Sequence, residues 1–161
     1  MTDFEGLIRR LGLAEVRYVL IGGFAATVLG SPRTTVDLDI VYARDEENLT
    51  RLAGALESLS PKMRGAPDGL PFVLDVATLV RGLNFTLTTT LGDLDLLGEV
   101  VGGGTYEELL PHTLRLTVFD TEVAVVTLPQ LIRLKRAAGR PRDLAVLAEL
   151  EALLEEQRRE P

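Results

Sequence analysis

Apolar side chains recur along this chain in two rhythms, every third or fourth residue and every second residue, and the switch between them marks out the elements. Phe4, Leu7, Ile8 and Leu11 fall at helical spacing with Arg9 and Arg10 outside, and Gly12 ends that helix. Val16 to Ile21 reads as a core strand, and Phe24 to Leu29 as a short helix stopped by Gly30-Ser31-Pro32. In Thr34 to Val41 the side chains alternate, so Val36, Leu38 and Ile40 share a core-facing side while Asp37 and Asp39 share the other. Asp45-Glu46-Glu47 opens a helix striped by Leu49, Leu52, Ala53, Leu56 and Leu59, its acids suited to the positive end of the helix dipole.

Ser60 to Leu70, with two prolines and two glycines, predicts a loop able to border a site, Pro71 to Leu74 a short strand, and Asp75 the cap of a brief helix through Val80. Leu83 to Thr90 alternates like a strand, and Leu91 to Leu97 continues or follows it, with Leu94 and Leu96 on one face and Asp93 and Asp95 on the other. Gly102-Gly103-Gly104 reads as a flexible connector to a helix capped by Thr105. Leu114 to Phe119 and Glu122 to Val126 predict a hairpin, and Thr127-Leu128-Pro129-Gln130 is the capping box of a helix through Ala138. A last helix, with Asp143 as its N-cap, packs through Leu144, Leu147, Leu150 and Leu154. The elements together predict one α/β domain over residues 1–161, a mixed sheet flanked by helices, with 128–161 as a C-terminal helical pair packed on it.

The chemistry concentrates at two places that this pattern brings close. Asp37 and Asp39 stand roughly 6.5 Å apart on one face of a strand, where they repel unless a cation lies beside them. Gly22 and Gly23 join the preceding strand to a short helix, and their N–H groups are free to face an anion. The glycines do not match a dinucleotide-binding fingerprint or a P-loop, since neither the third glycine nor a Gly-Lys-Ser/Thr follows.

Ile-Gly-Gly-Phe-Ala-Ala, followed by Gly-Ser-Pro-Arg-Thr-Thr-Val-Asp-Leu-Asp-Ile, resembles the nucleotidyltransferase superfamily that shares its fold with DNA polymerase β. It is similar to small stand-alone prokaryotic members, among them AbiEii-type toxins of abortive-infection and toxin–antitoxin systems. The resemblance implies a nucleotidyltransferase fold and metal-dependent transfer of a nucleoside monophosphate from an NTP to an acceptor hydroxyl, with an RNA (tRNA) end as the first expectation for the acceptor. Protein hydroxyls and small antibiotics are other acceptors, and a binding or regulatory module that has lost its chemistry is the rival reading. It also implies a third acid on a neighbouring strand. Asp95, mid-strand, fits that role better than Asp93, which follows the Gly92 turn. Asp37, Asp39 and Asp95 are then the expected ligands of Mg²⁺ or Mn²⁺, and Gly22 and Gly23 the phosphate contacts.

Arg33 precedes the acid strand, where it can reach a phosphate or brace a carboxylate. Lys135 sits at the edge of an apolar stripe and can extend its ammonium into a cleft. With Arg133, Arg136, Arg140 and Arg142 it forms the densest basic cluster, and Lys135 and Arg140 are the candidates for a triphosphate or an RNA backbone. Leu-Lys-Arg-Ala-Ala-Gly-Arg-Pro-Arg-Asp resembles a second motif of the superfamily, which makes Asp143 a further candidate besides its role as a cap. His112, the single histidine, follows a proline in a turn and supports no histidine-based chemistry.

Composition narrows the partners. A net charge of −7 opposes an extended nucleic-acid surface, so any RNA contact must be local. The absence of cysteine excludes disulfides and thiolate metal sites and fits a cytoplasmic protein, and no apolar run reaches the length of a membrane span. A cognate antitoxin or another protein partner belongs to the same set of expectations.

Overall fold

A computed structural model describes residues 1–160. The elements run α1 (Phe4–Leu13), β1 (Tyr18–Ile21), α2 (Gly22–Val28), β2 (Asp37–Tyr42), α3 (Glu46–Glu57), β3 (Lys62–Met63), α4 (Val76–Arg81), β4 (Asn84–Thr89) and β5 (Gly92–Leu97). They continue with β6 (Glu99–Val100), β7 (Gly104–Thr105), α5 (Tyr106–Leu109), β8 (Thr113–Val118), β9 (Thr121–Val126), α6 (Leu128–Ala138) and α7 (Pro141–Arg159). Seven strands form one mixed sheet in the order β3-β4-β5-β2-β1-β9-β8, and β6 and β7 pair separately. This is the α/β architecture expected from the pattern.

Two strand pairings set up the site. β1 and β2 run antiparallel with Ile21 opposite Asp39, and β2 and β5 run parallel with Asp37 opposite Asp93 and Asp39 opposite Asp95. Leu38, Ile40, Leu94 and Leu96 are buried on one face, which leaves the four aspartates on the other. All four residues of β1 are buried, as are Val123 to Val126 of β9, so the centre of the sheet is covered on both faces. The acid-bearing half stays open. Among the described residues no helix is long and apolar enough to cross a membrane.

The first residues pin this half of the sheet. Asp3 caps α1 through the Gly6 N–H and donates its own N–H to the Leu91 carbonyl, while the Thr2 hydroxyl donates to the Val36 carbonyl and accepts from the Asp93 N–H. Phe4 stacks on Phe24 at 4.4 Å between ring centres, which clamps α1 to α2.

Several expectations are corrected. α1 passes through Gly12 to Leu13, and β2 begins at Asp37, which leaves Val36 73% exposed outside the core. Pro71 to Leu74 forms no strand, and Lys62–Met63, inside the expected loop, pairs with β4 instead. The three glycines are no slack connector, since a Cβ on Gly102 would stand 2.5 Å from the Ala137 Cβ, so the β6–β7 turn packs against α6. Leu144 is exposed, and α7 packs through Leu150 with Val146, Leu147, Leu153 and Leu154. α7 begins at Pro141 with Arg140 at the cap position, which places Asp143 inside the first turn and not at the N-cap.

Candidate active site

Alternation along β2 and β5, together with their parallel register, brings Asp37, Asp39 and Asp95 to one place. Each offers a carboxylate oxygen, and the three oxygens lie within 4.8 Å of one another. Asp93 is not part of that group and approaches Arg64 instead.

Crowding of like charge shows in the protonation of the pair on β2. Burial first, then the charges of Asp37 and Asp95, push the Asp39 carboxyl up to about 8 against the relieving charge of Lys135. Asp37 is also raised, by burial and by Asp95, with the Arg64 charge opposing. Three hard oxygen donors this close suit a small divalent cation such as Mg²⁺ or Mn²⁺, which would relieve the same repulsion. A cation that binds through Asp39 must displace its proton below about pH 8. Affinity for Mn²⁺ is therefore expected to rise with pH, by up to about tenfold per unit between pH 6 and 8, and to level off above that. Isothermal titration across that range, with the protons released counted from the buffer's ionisation heat, measures both.

The glycine pair abuts these acids. Gly22 opens α2 at φ +74°, and a Cβ there would stand 2.0 Å from Asp39 Oδ2; a Cβ on Gly23 would stand 2.6 Å from Thr35 Oγ1. No side chain caps the α2 N-terminus. The glycines thus let the strand-to-helix turn close directly onto the Asp39 carboxylate.

On the other side stand cations organised by one buried acid. Asp143 is 1% exposed, and its carboxylate accepts from Arg140 Nε at 2.6 Å, Arg140 NH2 at 3.1 Å, the Arg140 backbone N–H at 3.2 Å and Lys135 Nζ at 3.4 Å. The Arg140 guanidinium, above all, holds its pKa below the usual carboxylate range. Both cations are close enough for their charge to be felt together with that of Asp39. Arg33 is held elsewhere, in a two-pronged pair with Glu149 of α7 at 2.6 and 2.8 Å. Arg136 pairs with Glu151.

Sequence reasoning missed Arg64. It follows β3 on the sheet edge, and its guanidinium crosses β4 to lie 2.8 Å from Asp95, 3.5 Å from Asp93 and 3.9 Å from Asp37. Its segment reads as a proline- and glycine-rich loop, and the two-residue strand that aims it is too short to show alternation.

A cavity of about 690 Å³ opens beyond the far ends of β4 and β5, between Asn84, Glu99, Gly102, Glu108, Gln130 and Arg133. Gln130 is 5% exposed and its side chain lines this cavity. The expected capping box is only half made. Thr127 accepts from the Gln130 N–H, but the Thr127 N–H donates to the His112 carbonyl, which frees the glutamine amide to face the cavity.

No protein-family profile matches the chain, and no curated protein sequence matches it either. Its structure is similar to lincosamide antibiotic adenylyltransferase LnuA, solved with lincomycin bound, at a TM-score of 0.59 and 16% identity over 94% of this chain and 98% of that one. It is also similar to TM1012 of Thermotoga maritima, a proposed nucleotidyltransferase, at a TM-score of 0.50 and 15% identity over 96% and 89% of the two chains. The fold is that of the nucleotidyltransferases. At this identity the likeness carries the fold, so the acids of the nucleotidyltransferase sheet are read from their own geometry.

Proposed function

We propose that this chain moves a nucleoside monophosphate from an NTP to an acceptor hydroxyl. The observation that carries the reading is the meeting of Asp37, Asp39 and Asp95 beside the Gly22-Gly23 turn on the open face of a nucleotidyltransferase sheet. The three carboxylates would hold Mg²⁺ or Mn²⁺, which would supply positive charge to offset that developing on the leaving pyrophosphate. Lys135 and Arg140, braced by Asp143, would face the phosphates from the opposite side, and the Gly22 and Gly23 N–H groups would position them. Asp95 takes the proton of the acceptor hydroxyl as its oxygen bonds to the α-phosphorus and the bond to pyrophosphate breaks. Arg33 would reach a phosphate only by leaving Glu149, so we assign it the bracing role.

For the acceptor, a small molecule bearing a hydroxyl is favoured. Three of the five cations of the basic cluster are already paired within the fold, with Asp143 and Glu151, whereas the cavity lined by Gln130 has the volume of a small-molecule site. LnuA, with its lincomycin, points the same way. The second reading is an RNA end in a toxin–antitoxin or abortive-infection setting, with a cognate antitoxin as partner; Arg133 and Arg142, which lack a carboxylate partner among the described residues, favour it.

The test is to incubate the protein with each α-labelled NTP, Mg²⁺ or Mn²⁺ and a cell extract, then separate small molecules, RNA and protein. Label in the small-molecule fraction is expected. Label in RNA would establish the second reading. No label anywhere, together with no metal-dependent nucleotide binding by calorimetry, would leave a binding module and overturn the proposal.

A further inference from the structure

The bonding of Arg64 is that of a placeholder. Arg33 on Glu149 shows a finished arginine pair in this protein, two parallel N–H···O bonds at 2.6 and 2.8 Å. Arg64 has no such fork. Its NH2 divides between Asp95 at 2.8 Å and the Leu87 carbonyl at 2.7 Å, its NH1 lies 3.9 Å from Asp37 without a hydrogen bond, and its Nε is buried without a hydrogen bond. A guanidinium carries five N–H donors, so most of this one is under-used in a place where an unpaired polar atom is costly. Behind it, Gly65 turns at φ +82° with nothing within 4 Å of where a Cβ would lie, so the residue next to Arg64 has room to move.

Charge decides what can displace it. Asp37, Asp93 and Asp95 all face the guanidinium, which neutralises part of the cluster when nothing is bound. A lone divalent cation on Asp37, Asp39 and Asp95 would share two of those carboxylates with a fixed positive charge, and the two would repel. A cation that arrives with a triphosphate brings excess negative charge and acceptor oxygens in the geometry a guanidinium prefers.

Taking the three acids as a metal site, as proposed above, we infer that Arg64 makes that site selective for the metal–nucleotide complex over the free cation. It is a positioning residue that holds the carboxylates until nucleotide enters and then turns its idle donors to phosphate oxygens. Metal and nucleotide thereby become coupled ligands, each raising affinity for the other by the same factor.

Mn²⁺ binding followed by electron paramagnetic resonance tests this on the intact protein, with and without the α,β-methylene analogues of the four NTPs. In the wild type the effective analogue is expected to tighten Mn²⁺ binding by about tenfold or more. Arg64→Gln should bind Mn²⁺ alone about tenfold more tightly than wild type, with the gain from the analogue cut to threefold or less. Arg64→Lys, which keeps the charge, should bind free Mn²⁺ as weakly as wild type, and circular dichroism melts confirm that both variants fold. Unchanged or weaker Mn²⁺ binding by a folded Arg64→Gln, with the analogue's gain intact, overturns the inference and leaves the metal site standing. Failure of both wild type and Arg64→Gln to bind Mn²⁺ under any condition removes the metal site and the inference with it.

Discussion

Asp39→Asn is expected to lower nucleotidyl transfer by about a thousandfold or more while raising the melting temperature of the metal-free protein at alkaline pH. The first effect follows from position. Asp39 shares the cluster with Asp37 on its own strand and Asp95 opposite it on β5, and it abuts the glycine turn, so its loss removes one of three ligands and the one beside the phosphate-facing turn. Losing one preorganised oxyanion donor costs about a hundred- to a thousandfold in acyl transfer, and a metal ligand should cost at least that. The second effect follows from protonation. The carboxyl is raised from 3.8 to about 8, so between those values the folded protein holds a proton that the unfolded chain does not. Stability of the metal-free protein therefore falls as pH rises through that window and levels off above it. A neutral amide removes the dependence, so the variant should equal wild type near pH 4 and melt higher at pH 9. Saturating Mn²⁺ should then raise the melting temperature of the wild type and leave that of Asp39→Asn unchanged. A variant with full transfer activity, or one that melts lower than metal-free wild type at pH 9, contradicts the role given to this carboxylate. Turnover of labelled NTP and melts at the two pH values decide it.

Gly22→Ala should be the most damaging small substitution in the chain. At φ +74° a side chain strains the backbone, and here the added Cβ would also fall 2.0 Å from Asp39 Oδ2, closer than any real contact. Backbone strain of about 1–2 kcal/mol and overpacking of about 1–3 kcal/mol add to roughly 2–5 kcal/mol, or about 5–15 °C in melting temperature for a chain of this length. Because the turn and the carboxylate must part, Mn²⁺ affinity should fall as well, which separates this variant from one that merely loosens the core. Gly54→Ala is the control: nothing lies within 4 Å of its added Cβ, and it replaces glycine within α3, so it should be neutral or slightly stabilising. Equal melts and equal metal affinity for Gly22→Ala and wild type would show that the turn has more room than the structure gives it.

Composition and pattern alone determined much of this protein. The two-residue alternation around Asp37 and Asp39 forces both onto one face of any strand they occupy, and the buried leucines on either side of Asp95 do the same for it. The switch to helical spacing after Thr127 likewise placed Lys135 at the rim of a core. These are local consequences of backbone geometry, which is why they could be read without coordinates.

Tertiary structure decided everything that depended on register or on a long side chain's reach. The parallel pairing of β2 with β5 set Asp95 opposite Asp39, and no local pattern contains that offset. Arg64 follows an edge strand of two residues in a segment rich in turn formers, and only the order β3-β4-β5-β2 reveals what it reaches. Gln130 had the spacing of a helix cap until the His112 carbonyl took the bond it would have made, and Asp143 stood ready as a cap until the chain placed it one turn further in, between two cations. In each case a distant part of the chain supplied the competing partner, and a hydrogen bond or ion pair goes to whichever partner the fold brings nearest.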